Sequence, residues 1–168
     1  MSEPIVNKVA ESALVSIDLE QFLPRETPLV FDLKEYLFKG LILKEKEFRS
    51  ALQETNWEQY RGKVVLVLCS ADAIVPFWAY MLVASYLRPV TGDIYMENLL
   101  QWKTRVLLRQ IEELDLSVYA DKRIVIKGCG DEPVAEAAYF EITKKLQPIA
   151  RSIMYGEPCS TVPIYKKK

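Results

Sequence analysis

The chain contains three cysteines and no histidine. Cys69 closes the apolar run Lys63-Val64-Val65-Leu66-Val67-Leu68, Cys129 closes Arg123-Ile124-Val125-Ile126-Lys127-Gly128, and Cys159 follows Ser152-Ile153-Met154-Tyr155-Gly156-Glu157-Pro158. Each run has the composition of a buried strand and each cysteine opens a turn. In open parallel sheets that edge is where ligands bind. In such turns, backbone N–H groups and helix amino termini stabilise a thiolate, which binds metal or attacks electrophiles. Three thiolates with a fourth position taken by water, Asp72 or Glu157 would hold zinc, or an iron–sulfur cluster with one non-cysteine ligand. Cys69, Cys129, Cys159 and Asp72 are therefore the candidate metal set. One thiolate acting alone would be a nucleophile for sulfur transfer or a related displacement. If all three are small buried hydrophobes, the chain is a dimeric structural or interaction module without a metal. The spacings of 60 and 30 residues match no compact ligand motif, so the three readings stay open.

The missing histidine removes Ser-His-Asp and Cys-His nucleophile systems, histidine metal sites and histidine acid–base catalysis. Gly128-Cys129-Gly130 lacks the third glycine of a dinucleotide loop, and no Gly-Lys-Ser or Gly-Lys-Thr occurs, so no nucleotide cofactor is expected. Val162 stands where a zinc deaminase needs its second cysteine. Lys plus Arg total 22 against 23 Asp plus Glu, a net charge of -1, which gives no footprint for nucleic acid. The amino terminus lacks the layout of a signal peptide, and the longest apolar stretch, around Phe77 to Leu87, is too short to span a bilayer. An odd number of distant cysteines suits a reducing compartment. A soluble, cytoplasmic protein with no membrane partner is the expectation.

At 168 residues and 50% hydrophobic content, a single α/β domain over residues 1–168 is expected. Pro4 to Ser12 reads as a short helix, Leu14 to Leu19 as a half-buried strand, and Asp32 as the cap of a short helix ended by Gly40. Leu43 to Glu54 has the pattern of a surface helix. From Lys63 onward strands alternate with helices: Phe77 to Leu87, Asp93 to Met96, Glu97 to Leu114, Arg123 to Lys127, Val134 to Leu146 and Ile153 to Tyr155. This is the signature of a three-layer, predominantly parallel sheet with helices on both faces, with Lys63 to Cys69 as an interior strand. Right-handed crossovers would place all three cysteines on one rim. Asp72 is equally suited to cap the helix that begins near Pro76. The helix from Phe77 to Leu87 is apolar nearly all round, so it is expected to be buried on more than one side, by its own domain or in a homodimer. Two prolines in Pro158 to Lys168 argue against regular structure there. No repeat of domain size is evident.

Several stretches, among them Ile5-Val6-Asn7-Lys8-Val9-Ala10, Leu41-Ile42-Leu43-Lys44-Glu45-Lys46, Cys69-Ser70-Ala71-Asp72-Ala73-Ile74-Val75-Pro76 and Ser152-Ile153-Met154-Tyr155-Gly156-Glu157-Pro158-Cys159, closely resemble a bacterial family catalogued as domain of unknown function 2480. The resemblance covers nearly the whole length and implies no particular activity. Through the genes that accompany the family it points to iron–sulfur cluster assembly, with the proteins of that process as partners and this chain as an accessory factor, which suits a thiolate site.

Overall fold

The computed structural model describes residues 14–128, 130, 132–157 and 159–168, so the expected helix from Pro4 to Ser12 and Cys129 itself lie outside the described residues. The chain divides into two compact units, one split between Met1–Pro24 and Lys103–Lys168, the other inserted between these segments as Arg25–Trp102. The split unit opens with β1 (Leu14–Asp18) and a 3-10 turn, Leu19–Phe22. The inserted unit then runs β2 (Leu29–Asp32), a 3-10 turn (Leu33–Tyr36), β3 (Leu37–Phe38), β4 (Ile42–Leu43), α1 (Glu45–Glu54), a 3-10 turn (Trp57–Tyr60), β5 (Val65–Leu68), α2 (Phe77–Leu87) and β6 (Ile94–Tyr95). Helix α3 (Leu99–Glu113) crosses the boundary, and β7 (Arg123–Lys127), α4 (Glu136–Leu146), β8 (Ser152–Glu157) and β9 (Ser160–Lys166) complete the split unit.

The architecture is α/β with mostly parallel strands. The strands nevertheless form two main sheets, β1-β7-β8-β9 and β2-β5-β6, plus the β3-β4 hairpin. In both, the central strand is apolar on successive residues and buried on both faces: Val65, Leu66 and Val67 in β5; Ile124, Val125 and Ile126 in β7. That is what a parallel strand covered on both sides requires. The expected interior strand at Lys63 to Cys69 is thus β5, hydrogen-bonded to β2 on one side and β6 on the other.

Asp32 caps a short helix as expected, the 3-10 turn Leu33–Tyr36. Two local expectations change. Gly40, with φ of 69°, serves the β3-β4 turn instead of a helix end. The tail is a strand despite its prolines: β9 is an edge strand, where a missing N–H costs no ladder bond, and Pro163 sits where the register slips between Ile153 and Met154. Helix α2 fully buries Ala79, Val83 and Leu87, packs Trp78, Tyr80, Leu82 and Tyr86 partly against the same core, and leaves Phe77, Met81, Ala84 and Ser85 exposed.

The two units are built to one plan, which corrects the reading that no repeat exists. Helices α2 and α4 are both 11 residues long, and each position in α4 lies 59 residues after its counterpart, from Pro76 and Ala135 at the amino caps to Leu87 and Leu146 at the last turn. The same spacing relates the buried faces, Ala79, Val83 and Leu87 against Ala138, Ile142 and Leu146. It also relates the strand registers, Val65 to Ile94 against Ile124 to Ile153. It holds upstream in the turns, where Lys63 N donates to Tyr60 O and Lys122 N to Tyr119 O, and where Gly62 and Asp121 both adopt positive φ. It reaches the buried helix positions Phe48 and Leu52 against Leu107 and Ile111. Only the first strand breaks the spacing. Asp32 pairs with Leu68 as Asp18 pairs with Lys127, yet the two aspartates are separated by 14 residues because one unit is nested inside the other.

Candidate functional site

At the carboxyl edge of the inserted unit's sheet, β2 ends in Asp32 and β5 runs out into Cys69 and Ser70. One Asp32 carboxylate oxygen accepts the Lys34 N–H at 2.9 Å and the Ser70 N–H at 3.0 Å; the other accepts the Ser70 hydroxyl at 2.5 Å. Burial alone would raise the Asp32 pKa. The two bonds from Ser70, the Lys34 amide and the Lys34 charge outweigh it and hold the carboxyl below its ordinary value. Such a carboxylate is a poor base. Asp32 therefore pins the loop after β5 and does not activate Ser70 as a nucleophile.

Pinning the loop sets the direction of Cys69. Its thiol is half-buried, donates to the Ala71 carbonyl at 3.6 Å, and lines a cleft of about 390 Å³ with Val67, Tyr80, Met96, Asn98 and Gln101. Asn98 and Gln101 form a reciprocal capping box at the start of α3, each side chain accepting the other's backbone N–H at 2.9 Å. Tyr80 reaches the cleft from α2. Burial first, and then the negative charges of Cys69 and Asp32, push its phenol above the ordinary value, so it stays protonated at neutral pH. Its hydroxyl makes no hydrogen bond among the described residues.

The same edge of the split unit shows why that hydroxyl is free. Tyr139, 59 residues after Tyr80, donates to the Gly128 carbonyl at 2.9 Å. A Cβ on Gly128 would lie 2.6 Å from that hydroxyl and 3.2 Å from Val134, so the bond depends on glycine. Cys69 occupies the matching place in the inserted unit and has a Cβ. The rest of the split unit's edge is charged: Lys127 stands 3.3 Å from Asp18 and 3.9 Å from Glu157, and Glu20 accepts the Gly130 N–H. The Asp18 bond first, then the Glu157 and Asp18 charges, raise the Lys127 pKa.

Among the sequence-derived candidates, Cys69 lies in the cleft and Asp72 is exposed in the loop beyond it; the cap of α2 is Pro76, with no side-chain bond from Asp72. Cys159 is exposed in the turn between β8 and β9. Cys69 follows a strand of one sheet and Cys159 a strand of another, so these two do not share one sheet's rim. Among the described residues no group of three or more Cys, Asp or Glu is arranged to hold a metal ion. No helix among them is long and apolar enough to cross a membrane. Sequence reasoning favours Asp32 as a cap over a site carboxylate and reads Tyr80 only as part of an apolar helix. The recurrence of tyrosine, leucine and proline at Tyr80, Leu87 and Pro89 and again at Tyr139, Leu146 and Pro148 was the signal that marked the repeat.

The model of a family described as a protein of unknown function, DUF2480, matches residues 3–167. The chain belongs to that family. No curated protein and no solved structure matches it. The family assignment covers both units and names no activity for either edge, so a functional reading of the DUF2480 fold rests on the cleft chemistry.

Proposed function

We propose that the cleft of the inserted unit is a thiol site, with Cys69 as nucleophile for sulfur transfer or a related displacement. One observation carries this reading: the Cys69 thiol and the Tyr80 hydroxyl, which makes no hydrogen bond among the described residues, line the same cleft at the carboxyl edge of β5. Cys69 first loses its proton to water. The thiolate then attacks a sulfur or carbon atom that bears a leaving group; the new S–S or S–C bond forms as the old bond breaks, and its electron pair departs with the leaving group. The protonated Tyr80 phenol donates a hydrogen bond to the charge that builds up there. Asp32 and Ser70 hold the loop so that the thiol keeps its direction.

The test is site-resolved alkylation by iodoacetamide near neutral pH, with metal content measured on anaerobically purified protein. Cys69 should alkylate faster than the more exposed Cys159, Tyr80→Phe should slow Cys69 alone, and metal should be well below one per chain. A Cys69 that reacts no faster than Cys159 removes the thiol-site reading. Stoichiometric zinc or iron that is lost alike from Cys69→Ser, Cys129→Ser and Cys159→Ser would replace it with three-thiolate metal binding, the property an iron–sulfur assembly factor would need.

A further inference from the structure

The repeat supplies an internal control for a surface that is otherwise hard to read. In the split unit, β8 is not an edge: β9 lies antiparallel beside it, with Ile153 opposite Tyr165. Its counterpart β6 is the last strand of its sheet and, among the described residues, has only β5 as a neighbour. Val65 N–H donates to the Asp93 carbonyl at 2.8 Å, so by the alternation of a parallel ladder the N–H and C=O of Ile94 point to the open side. Such an edge is a template for another strand.

The helix next to that edge differs between the units in the same sense. Helix α4 carries Glu136, Glu141, Lys144 and Lys145 around a single exposed Phe140; the matching residues of α2 are Phe77, Leu82, Ser85 and Tyr86 around Met81, of which Leu82 and Tyr86 pack partly against the unit's core while Phe77, Met81 and Ser85 are exposed. Helix α2 has no charged residue from Phe77 to Leu87. Ile74, Phe77 and Met81 are 89%, 86% and 71% exposed. A groove of about 460 Å³ joins the two features, with Tyr80, Met81, Ala84 and Arg88 of the helix side on one wall and Gly92, Ile94, Tyr95 and Met96 on the other.

We propose that two copies of this chain associate across a two-fold axis, β6 pairing antiparallel with β6 of the second copy and α2 packing on its α2. A second copy is favoured over another occupant for three reasons. A two-fold axis permits only antiparallel pairing of a strand with itself, which is the sense in which β9 covers β8. Arg88 is the one charged residue lining the groove, and Asp93, which directly precedes β6, carries the opposite charge, so the patch has no excess of one sign to repel its own image. The uncharged face of α2 can meet itself without leaving a buried charge unpaired. With β6 only two residues long, the strand edge adds few hydrogen bonds and sets direction. A stable interface buries roughly 800 Å² per partner, so most of the area must come from α2 and the groove walls.

Light scattering of the full chain during size exclusion should give twice the 19.4 kDa of one chain. Phe77→Glu, which places on α2 the residue type of Glu136 in α4, combined with Met81→Lys should give a monomer with unchanged far-UV circular dichroism. Phe140→Lys, at the α4 position matching Met81, should leave the dimer intact. Ala84→Lys, on the exposed stripe of α2, repeats the test should the double variant fail to fold. A wild-type monomer at the highest soluble concentration overturns the proposal and leaves the groove to a different chain. A dimer that survives both the double variant and Ala84→Lys overturns it as well, as does an open-ended series of larger species.

Discussion

The inserted unit ends β5 on Leu68 and continues into Cys69 and Ser70; the split unit ends β7 on Lys127 and continues into Gly128 and Cys129. The strands have the same register, the helices behind them the same length, and the tyrosine on each helix the same place, so the difference lies in side chains at the rim. In the split unit, Lys127 binds two carboxylates and Gly128 lets Tyr139 close onto the backbone. In the inserted unit a leucine removes the cation and a cysteine adds a Cβ. The phenol is left in the cleft beside a thiol, and the aspartate, with no lysine on the adjoining strand end, accepts from the loop through Ser70. One backbone thus supports a rim whose described charges pair with one another and a rim that leaves a phenol without a partner among the described residues, beside a thiol held only by a backbone carbonyl. Groups of the second kind are the ones available to a substrate.

If that contrast is correct, glycine should matter most where tyrosine closes. Gly128→Ala should destabilise the protein by about 1–3 kcal/mol, as overpacking does, because its Cβ would meet the Tyr139 hydroxyl and Val134. Adding Tyr139→Phe should recover part of the loss, so that urea denaturation of the double variant shows less than the sum of the single effects. Additive effects would mean that the phenol and the glycine are not coupled.

A smaller effect is expected at the two strand-end aspartates. Asp32→Ala should cost about 1 kcal/mol, the usual worth of a cap, and should also loosen the Cys69 loop, which alkylation of Cys69 would register as a changed rate. Asp18→Ala, which caps its own turn through Glu20 N, should cost a similar amount and leave Cys69 alkylation unchanged. Equal responses of Cys69 to both substitutions would contradict the separate roles assigned to the two rims.

The smallest effects are in pH dependence, and they have opposite signs. The Asp32 carboxyl is held below its unfolded value, so its contribution is present above about pH 4 and is lost as pH falls through the folded value. Asp32→Asn should flatten the acid limb of the stability curve. The Lys127 ammonium is held above its unfolded value, so its contribution is present below about pH 10 and is lost as pH rises through the folded value. Lys127→Leu, which makes the split rim resemble the inserted one, should flatten only the alkaline limb. Chemical denaturation at stepped pH distinguishes them; a change on the same limb for both variants would contradict the assignment.

Much of the fold was legible because burial writes a period into the chain. The continuous apolar runs at β5 and β7, and the i, i+4, i+8 spacing of Ala79, Val83 and Leu87, identify parallel strands and one-faced helices from residue types alone. The position of Cys69 just past a strand end was legible for the same reason. The repeat was not, since the plan is kept by apolar positions that accept any similar residue, as in Val65 against Ile124 or Val83 against Ile142, and since nesting moves the first strand off the common spacing. Nor could periodicity reveal that the strands divide between two sheets, because each strand carries the same apolar signal whichever neighbours it pairs with. The assembly of Asp32 with Ser70, and of Cys69 with Tyr80, depends on contacts between elements 38 and 11 residues apart in the chain. Those contacts are set by strand order and loop path. Residue types determine which groups can react, and only tertiary structure decides which of them meet in one cleft.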